Sequence, residues 1–346
     1  MVRNLRAAAG GVPAGHEQQR KVLIRRLFVA LSLTGVAVAT VLVLRRSGGA
    51  EALFVLPLGN HLGAFGAMVL EVLLRGARFV VLGVVMGATV PIMSATMAQL
   101  AGDGGGAVTP SRSGSDPAKA LILSRHGIRG GHIGALLVGE AVSEATLLPV
   151  CALVLALSLD VPLTAMGATL SWSVVSLTLV GLAVRLAPTR DSTAPRLLQR
   201  LGVTGQRWKR VVAVAADFRQ AAGALRRMSP AHLLLLAAAT LGHIAARLFT
   251  LPALVGAEFA SANLAELLGW PFFLLYGAPL IPAPAGGGAI ETGFAYFLGD
   301  YLPREQLGAV TFWWRFYTSH LFALLGWLAI TIPTRRKPVQ RTEAEG

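Results

Sequence analysis

Long apolar stretches with few charges recur along the chain and restrict what it can fold into. The first runs from Leu27 to Leu44, and the others cover residues 52–74, 79–100, 132–159, 161–184, 228–255, 267–290 and 307–334. Most are near the roughly 20 residues that a helix needs to cross a bilayer. Charged residues make up 14% of the chain, well below the roughly 25% of soluble domains. The sequence therefore predicts an all-α polytopic membrane protein and disfavours a cytosolic enzyme.

The basic residues lie mainly between these stretches. The formal net charge is +14, and residues 185–227 and 335–346 are the most basic segments of the second half. Such clusters are typical of cytoplasmic loops and of lipid-headgroup contacts, so no nucleic-acid partner is expected. We expect a multi-pass protein of a bacterial-type plasma membrane with both termini in the cytoplasm.

Two glycine- and proline-rich interruptions fall inside apolar sequence. One contains Gly104-Gly105-Gly106 and Thr109-Pro110, and the other is the segment Ile281–Gly288 with Pro282 and Pro284. Such residues break helices, and paired interrupted segments in two halves of a chain indicate a transporter's midplane site. We predict about six transmembrane helices and two re-entrant hairpins of opposite orientation, residues 79–118 and 262–299, related as an inverted repeat. Two proline-kinked spans are the alternative.

The predicted organisation has five parts. They are a cytoplasmic basic N-terminus (1–26), a first membrane half (27–184), a cytoplasmic basic segment (185–227), a second membrane half (228–334) and a cytoplasmic tail (335–346). Within the basic segment, apolar residues between Leu197 and Leu225 recur at three- and four-residue steps beside an arginine-rich face. This pattern favours a helix in the headgroup plane, with a solvated connector as the alternative.

Metal, redox and ATP chemistry have no signature here. Cys151 is the only cysteine, and the seven histidines lack the spacing of zinc ligands. The chain has no GxxxxGK[ST] phosphate loop. We expect no cofactor, no metal and no ATP hydrolysis by this chain.

Ionisable residues inside apolar stretches are costly and mark functional positions. Glu140 and Glu144 are one helical turn apart and share a face. They could bind a cationic headgroup, exchange protons, or pair with Arg247 or Arg315. Arg315 needs a buried partner, for which Glu144 and Glu291 are the candidates.

Charged residues also flank the two interruptions. Glu291 directly follows the second, where it could cap a helix or form a cavity floor opposite Asp116. Arg112 and Lys119 flank the first, and arginine and lysine both bind phosphate. The alternative for this pair is that these basic residues only fix the cytoplasmic side of the loop.

Other polar and aromatic residues are assigned structural roles. We interpret Glu71, Arg75 and Arg78 as an anchor at a cytoplasmic helix end, and His243, on the same face as Arg247, as a satisfied polar contact. A set of aromatic residues is interpreted mostly as interface belts: Trp270, Trp313, Trp314 and Tyr317.

Three stretches together resemble a known family. Residues 109–119 contain a proline and arginine turn, then Gly114, Asp116 and Lys119; the acid stands one place later than in the family. Glu140 and Glu144 keep the spacing of a family acid pair, with Ala141 in place of an arginine. Residues 282–291 match a Pro-x-Pro-Gly-Gly-x-Gly-x-x-Glu turn, with Ala285 in place of a glycine. The chain thus resembles the flippase-like transmembrane family typified by the membrane region of lysylphosphatidylglycerol synthase, the multiple peptide resistance factor.

The resemblance implies movement of a lipid or charged amphiphile between leaflets, without the soluble aminoacyl-transferase domain of the best-known members. The expected partners are phospholipids or isoprenoid-linked lipids, and a homo-oligomer is left open. The alternatives are a membrane-embedded transferase acting on a lipid-linked substrate and a non-transporting membrane subunit. The candidate substrate-binding residues are Arg112, Asp116, Lys119, Glu140, Glu144, Arg247, Pro282, Pro284, Gly286, Gly288, Glu291 and Arg315.

Overall fold

The fold is helical throughout the described part of the chain. The structure is a computed structural model that describes residues 53–159, 163–189, 205–256, 263–277, 288–302 and 304–332, besides the single positions 41, 193 and 195. The helices are α1 (Leu58–Val85), α2 (Ile92–Ala107), α3 (Ser115–Arg125), α4 (Gly130–Ser158), α5 (Leu163–Leu186), α6 (Gly205–Leu225), α7 (Pro230–Val255), α8 (Leu264–Gly277), α9 (Ala289–Leu298), α10 (Arg304–Arg315) and α11 (Leu321–Thr331). These ranges contain no strand, so the predicted all-α class is confirmed.

Two of the described helices, α4 and α7, are long and apolar enough to cross a membrane by length and composition. The number of crossings and the re-entrant orientation of the hairpins stay predictions. The predicted first span, Leu27–Leu44, and the turn residues Pro282, Pro284 and Gly286 lie outside the described residues.

Helix α1 includes parts of two apolar stretches, residues 52–74 and 79–100, that the sequence analysis treated as separate. It continues through Phe79 to Val85, so the predicted first hairpin would begin inside this helix. The chain turns instead between Met86 and Pro91. Gly87 has a positive φ of 69° there, and Pro91, which lacks an N–H, is the N-cap of α2. The charged residues of α1 are tolerated at mid-helix because they have buried partners.

Helices α2 and α3 form an antiparallel pair joined by a tight turn. We expected Gly104, Gly105 and Gly106 to form the turn, but they lie in the last helical turns of α2. A Cβ on Gly104 would lie 2.8 Å from the Gly326 carbonyl carbon of α11. These glycines therefore serve close helix packing. The turn includes residues Pro110–Arg112, where the backbone of Ser111 is not helical.

Helix α7 packs antiparallel along α1. Asn60 donates to the Leu254 carbonyl at 2.8 Å near one end, and Gly242 faces Leu74 near the other. The predicted basic amphipathic segment, residues 197–225, is described from Gly205 onward, where it forms α6; residues 197–204 lie outside the described residues. Helix α6 runs beside the first turns of α4, with Phe218 near Gly134 and Leu225 near Gly139. Its placement at the headgroups stays a prediction.

Three apolar clusters form the core. Phe294 and Trp314 belong to the first, Ile122 and Leu136 to the second, and Phe272 to the third. Along α1, charged residues fall between members of the first and second clusters; along α4, they fall between members of the second and third. The fold therefore surrounds a polar centre with apolar packing.

Candidate functional site

The polar centre begins with the two arginines of α1. Arg75 donates to Asp103 of α2 at 2.6 Å and to Gln99 at 3.2 Å. Arg78, which is 0% exposed, donates to Glu140 at 2.8 Å and to Glu144 at 2.7 Å, both on α4. Since an isolated buried charge is very costly, these pairings explain how α1 holds two arginines at mid-length.

Glu140 accepts hydrogen bonds from three different side chains of this network. Besides Arg78, it accepts from Lys119 of α3 at 2.6 Å and from Gln99 of α2 at 2.9 Å. One carboxylate thus joins α1, α2, α3 and α4. Pairing of Glu140 and Glu144 with Arg247 or Arg315 was one of three possibilities, and the structure shows Arg78 and Lys119 as their cationic partners instead.

Arg247 of α7 connects the two halves of the chain. It donates to Glu71 of α1 at 3.0 Å and to the Thr318 carbonyl at 3.0 Å. Thr318 lies in a π-helical turn, Phe316–His320, between α10 and α11. Such turns often occur at functional sites.

Arg315 ends α10 and has the partner that the sequence required. It donates to Glu291 at 2.8 Å and to Ser319 at 2.9 Å. Glu291 also accepts from the backbone N–H of Gly288 at 2.7 Å, at the start of α9. Glu291 therefore both caps α9 and neutralises Arg315.

The turn between α2 and α3 is strained and charged. Ser111 and Arg112 have positive φ angles of 50° and 57°, which non-glycine residues seldom adopt and which often accompany functional sites. Arg112 donates to Asp103 at 2.6 Å, and its side chain remains 30% exposed. The backbone thus holds a half-exposed guanidinium beside a buried carboxylate.

These groups surround one cavity of about 370 Å³. Its charged lining residues are Arg75, Arg112, Asp116, Lys119, Glu140, Glu144, Arg247 and Arg315. Three serine side chains of the α2–α3 turn region also line it, as do the apolar residues Leu137, Ala141, Ala145 and Leu148 of α4. The cavity therefore offers charged, polar and apolar surfaces to one ligand.

The structure brings most of the predicted site residues together. Seven line the cavity: Arg112, Asp116, Lys119, Glu140, Glu144, Arg247 and Arg315. Glu291 contacts one of them, and Gly288 begins the cap of α9. Asp116 is at the exposed rim, with a side chain 68% exposed. Their role in binding stays a prediction.

Sequence reasoning missed the centre of the network. The interpretation of Glu71, Arg75 and Arg78 as a helix-end anchor is wrong, because all three are buried at mid-helix with partners. Asp103 was not singled out. The sequence did contain a signal for this network. Glu71, Arg75 and Arg78 are about one helical turn apart with apolar sequence on both sides, and charges in that position require buried partners.

Two smaller interpretations also change. Trp314 was assigned to an interface belt, but it is fully buried against Phe294. His243 lies 3.6 Å from Glu144 through Nε2, while its Nδ1 has no hydrogen-bond partner in the described part of the chain. The interpretation of His243 as a satisfied polar contact therefore lacks a hydrogen bond to support it among the described residues.

Comparison with known proteins identifies a family of membrane proteins. Residues 23–326 match the family described as "Lysylphosphatidylglycerol synthase TM region". A protein of Archaeoglobus fulgidus named "UPF0104 membrane protein" is 24% identical over 241 residues, which cover 64% of this chain and 71% of that protein. Because the family match spans most of the sequence, this chain is a membrane protein that belongs to the lysylphosphatidylglycerol synthase transmembrane-region family.

Proposed function

We propose that this protein is a lipid transporter that moves a lipid or lipid-linked amphiphile with a charged headgroup between the two leaflets of the plasma membrane. Phospholipids and isoprenoid-linked lipids are the substrate classes. The observation that supports this most strongly is a cavity that combines a local excess of positive charge around Arg112 with an apolar wall.

The positive charge is concentrated on one side of the cavity. Arg75, Arg112 and Arg247 share two carboxylates, Glu71 and Asp103. The other groups are the three cations Arg78, Lys119 and Arg315 and the four carboxylates Glu140, Glu144, Glu291 and Asp116, and Asp116 is 68% exposed at the rim. The total charge of these groups is therefore balanced, but the cluster of three arginines carries a local excess of one positive charge, which a monoanionic group such as a phosphodiester would neutralise.

Arg112 is the natural contact for that anion. It is the most exposed of the three arginines, and a planar guanidinium can bind two phosphate oxygens. Ser111, Ser113 and Ser115 line the same side of the cavity. Helix α3 starts at Ser115, and the free N–H groups of a helix start also favour anions.

The apolar wall supports a lipid substrate over a free phosphate. Leu137, Ala141, Ala145 and Leu148 recur along one face of α4, beside Glu140 and Glu144. A cavity of about 370 Å³ lies at the small end of ligand sites, so it suits a headgroup while the acyl chains remain in the bilayer. Rocking of the two halves around this fixed site would alternate its access.

Exchange of fluorescent phospholipids between the leaflets of reconstituted liposomes tests the proposal. Arg112→Gln should lower the rate about tenfold or more, since it removes a charge-assisted contact of ~1.5–3 kcal/mol. Arg227→Gln is the matched control, because this exposed arginine follows α6 outside the cavity lining. The control should exchange lipid at the wild-type rate.

Two results would contradict the proposal. One is wild-type exchange no faster than in protein-free vesicles across a broad lipid panel. The other is conversion of the labelled lipid into a new product by purified protein, which would identify a membrane-embedded transferase.

A further inference from the structure

The wall of the cavity formed by α7 and α8 contains buried polar atoms that the described residues leave without a hydrogen bond. They are the hydroxyl of Tyr276, Nδ1 of His243 and Nε of Arg247, and all three side chains line the cavity. Buried polar groups in native proteins normally have a partner from protein, water or ligand. The α7–α8 wall therefore has hydrogen-bonding capacity that the described residues do not use.

This wall carries little spare charge. Arg247 is paired with Glu71 at 3.0 Å, and His243 approaches Glu144 at 3.6 Å. The local excess of positive charge is instead most accessible at Arg112, on the turn between α2 and α3. The cavity thus has two chemically different sides, one suited to an anion and one suited to a neutral polar group.

The donor and acceptor types of these atoms restrict which chemical groups can bind the α7–α8 wall. The Nε–H of Arg247 can only donate, the hydroxyl of Tyr276 can do both, and Nδ1 of His243 does either according to its tautomer. An ammonium group has donors only and cannot accept from Arg247. A hydroxyl accepts and donates, so it can satisfy this wall.

We infer that the α7–α8 wall binds a hydroxyl-bearing part of the headgroup beyond the phosphate, so that the preferred substrates are lipids with polyol or sugar headgroups. The inference builds on the proposed function and assigns substrate selection to Tyr276, His243 and Arg247. The phosphodiester lies at Arg112, and the distal hydroxyls reach across the cavity to α7 and α8.

Two probes that differ mainly in this feature test the inference. Phosphatidylglycerol and phosphatidylethanol are both monoanionic phosphodiesters, but only phosphatidylglycerol carries headgroup hydroxyls. Leaflet exchange of each is measured with fluorescent acyl chains in phosphatidylcholine liposomes. Wild-type protein should exchange phosphatidylglycerol several-fold faster.

Tyr276→Phe removes only the hydroxyl and should bring this ratio close to one, since the loss of one hydrogen bond corresponds to a roughly two- to tenfold change. Tyr296→Phe is the matched control, because Tyr296 of α9 is 79% exposed and absent from the cavity lining. An unchanged thermal unfolding temperature for both variants shows that the fold is kept.

The outcomes separate this inference from the proposed function. Equal exchange of both lipids by wild-type protein, or equal slowing of both by Tyr276→Phe, overturns the α7–α8 assignment while lipid exchange itself stands. Exchange of neither lipid above protein-free vesicles overturns the proposed function and this inference with it.

Discussion

Replacing Glu140 with leucine is expected to destabilise the protein by about 3–5 kcal/mol, the usual cost of leaving buried partners of an ion pair uncompensated. Glu140 accepts hydrogen bonds from Arg78, Lys119 and Gln99. Arg78 keeps Glu144 in the variant, but Lys119 keeps only the exposed Asp116 at 3.8 Å. The measurement is the thermal unfolding temperature in detergent, followed by tryptophan fluorescence.

Asp116→Leu is the matched control, because it also removes a carboxylate next to Lys119. Its side chain is 68% exposed, and exposed ion pairs contribute only about 0–1 kcal/mol. The double variant Glu140→Leu with Lys119→Leu should be more stable than Glu140→Leu alone, since it removes the orphaned charge. Equal unfolding temperatures for Glu140→Leu and Asp116→Leu would show that the buried network is not formed.

Gly104→Ala is expected to destabilise the contact between α2 and α11 by about 1–3 kcal/mol, the typical cost of overpacking. The added Cβ would lie 2.8 Å from the Gly326 carbonyl carbon and 2.9 Å from the Trp327 nitrogen. Both are backbone atoms, so no change of rotamer relieves the clash. The unfolding temperature in detergent again provides the readout.

Gly66→Ala provides a control of opposite sign. A Cβ on Gly66 of α1 meets nothing within 4 Å, and alanine is favoured over glycine in helices by about 1 kcal/mol. This variant should unfold at or above the wild-type temperature. A Gly104→Ala variant as stable as wild type would contradict the close packing of α2 on α11.

The helical class and many of the cavity residues could be predicted because membrane burial penalises charge. Glu140, Glu144, Arg247 and Arg315 stand in apolar sequence, and a charge there needs a partner or a cavity wherever the fold places it. Local sequence does not determine which partner is reached, because that depends on helix packing. The pairing of Glu140 with Arg78 and Lys119 joins residues 62 and 21 positions apart.

The errors have a common physical origin. Arg75 and Arg78 were assigned to a helix end because basic residues between apolar stretches usually mark cytoplasmic ends. That rule assumes that charges in the membrane lack partners, whereas Asp103 and Glu140 provide them here. Gly104 was assigned to a turn for a similar reason, since composition alone does not separate chain reversal from close helix packing.

The central claim is that a lipid headgroup binds in the charged cavity, and photocrosslinking tests it most directly. Purified protein in nanodiscs would be irradiated with a phospholipid carrying a diazirine on its headgroup, and the labelled residues identified by mass spectrometry. We predict labels at Ser113, Ser115 and Ala141, which line the cavity, with a strong decrease in Arg112→Gln. Labels confined to lipid-facing positions such as the exposed Leu157, unchanged in Arg112→Gln, would contradict the account.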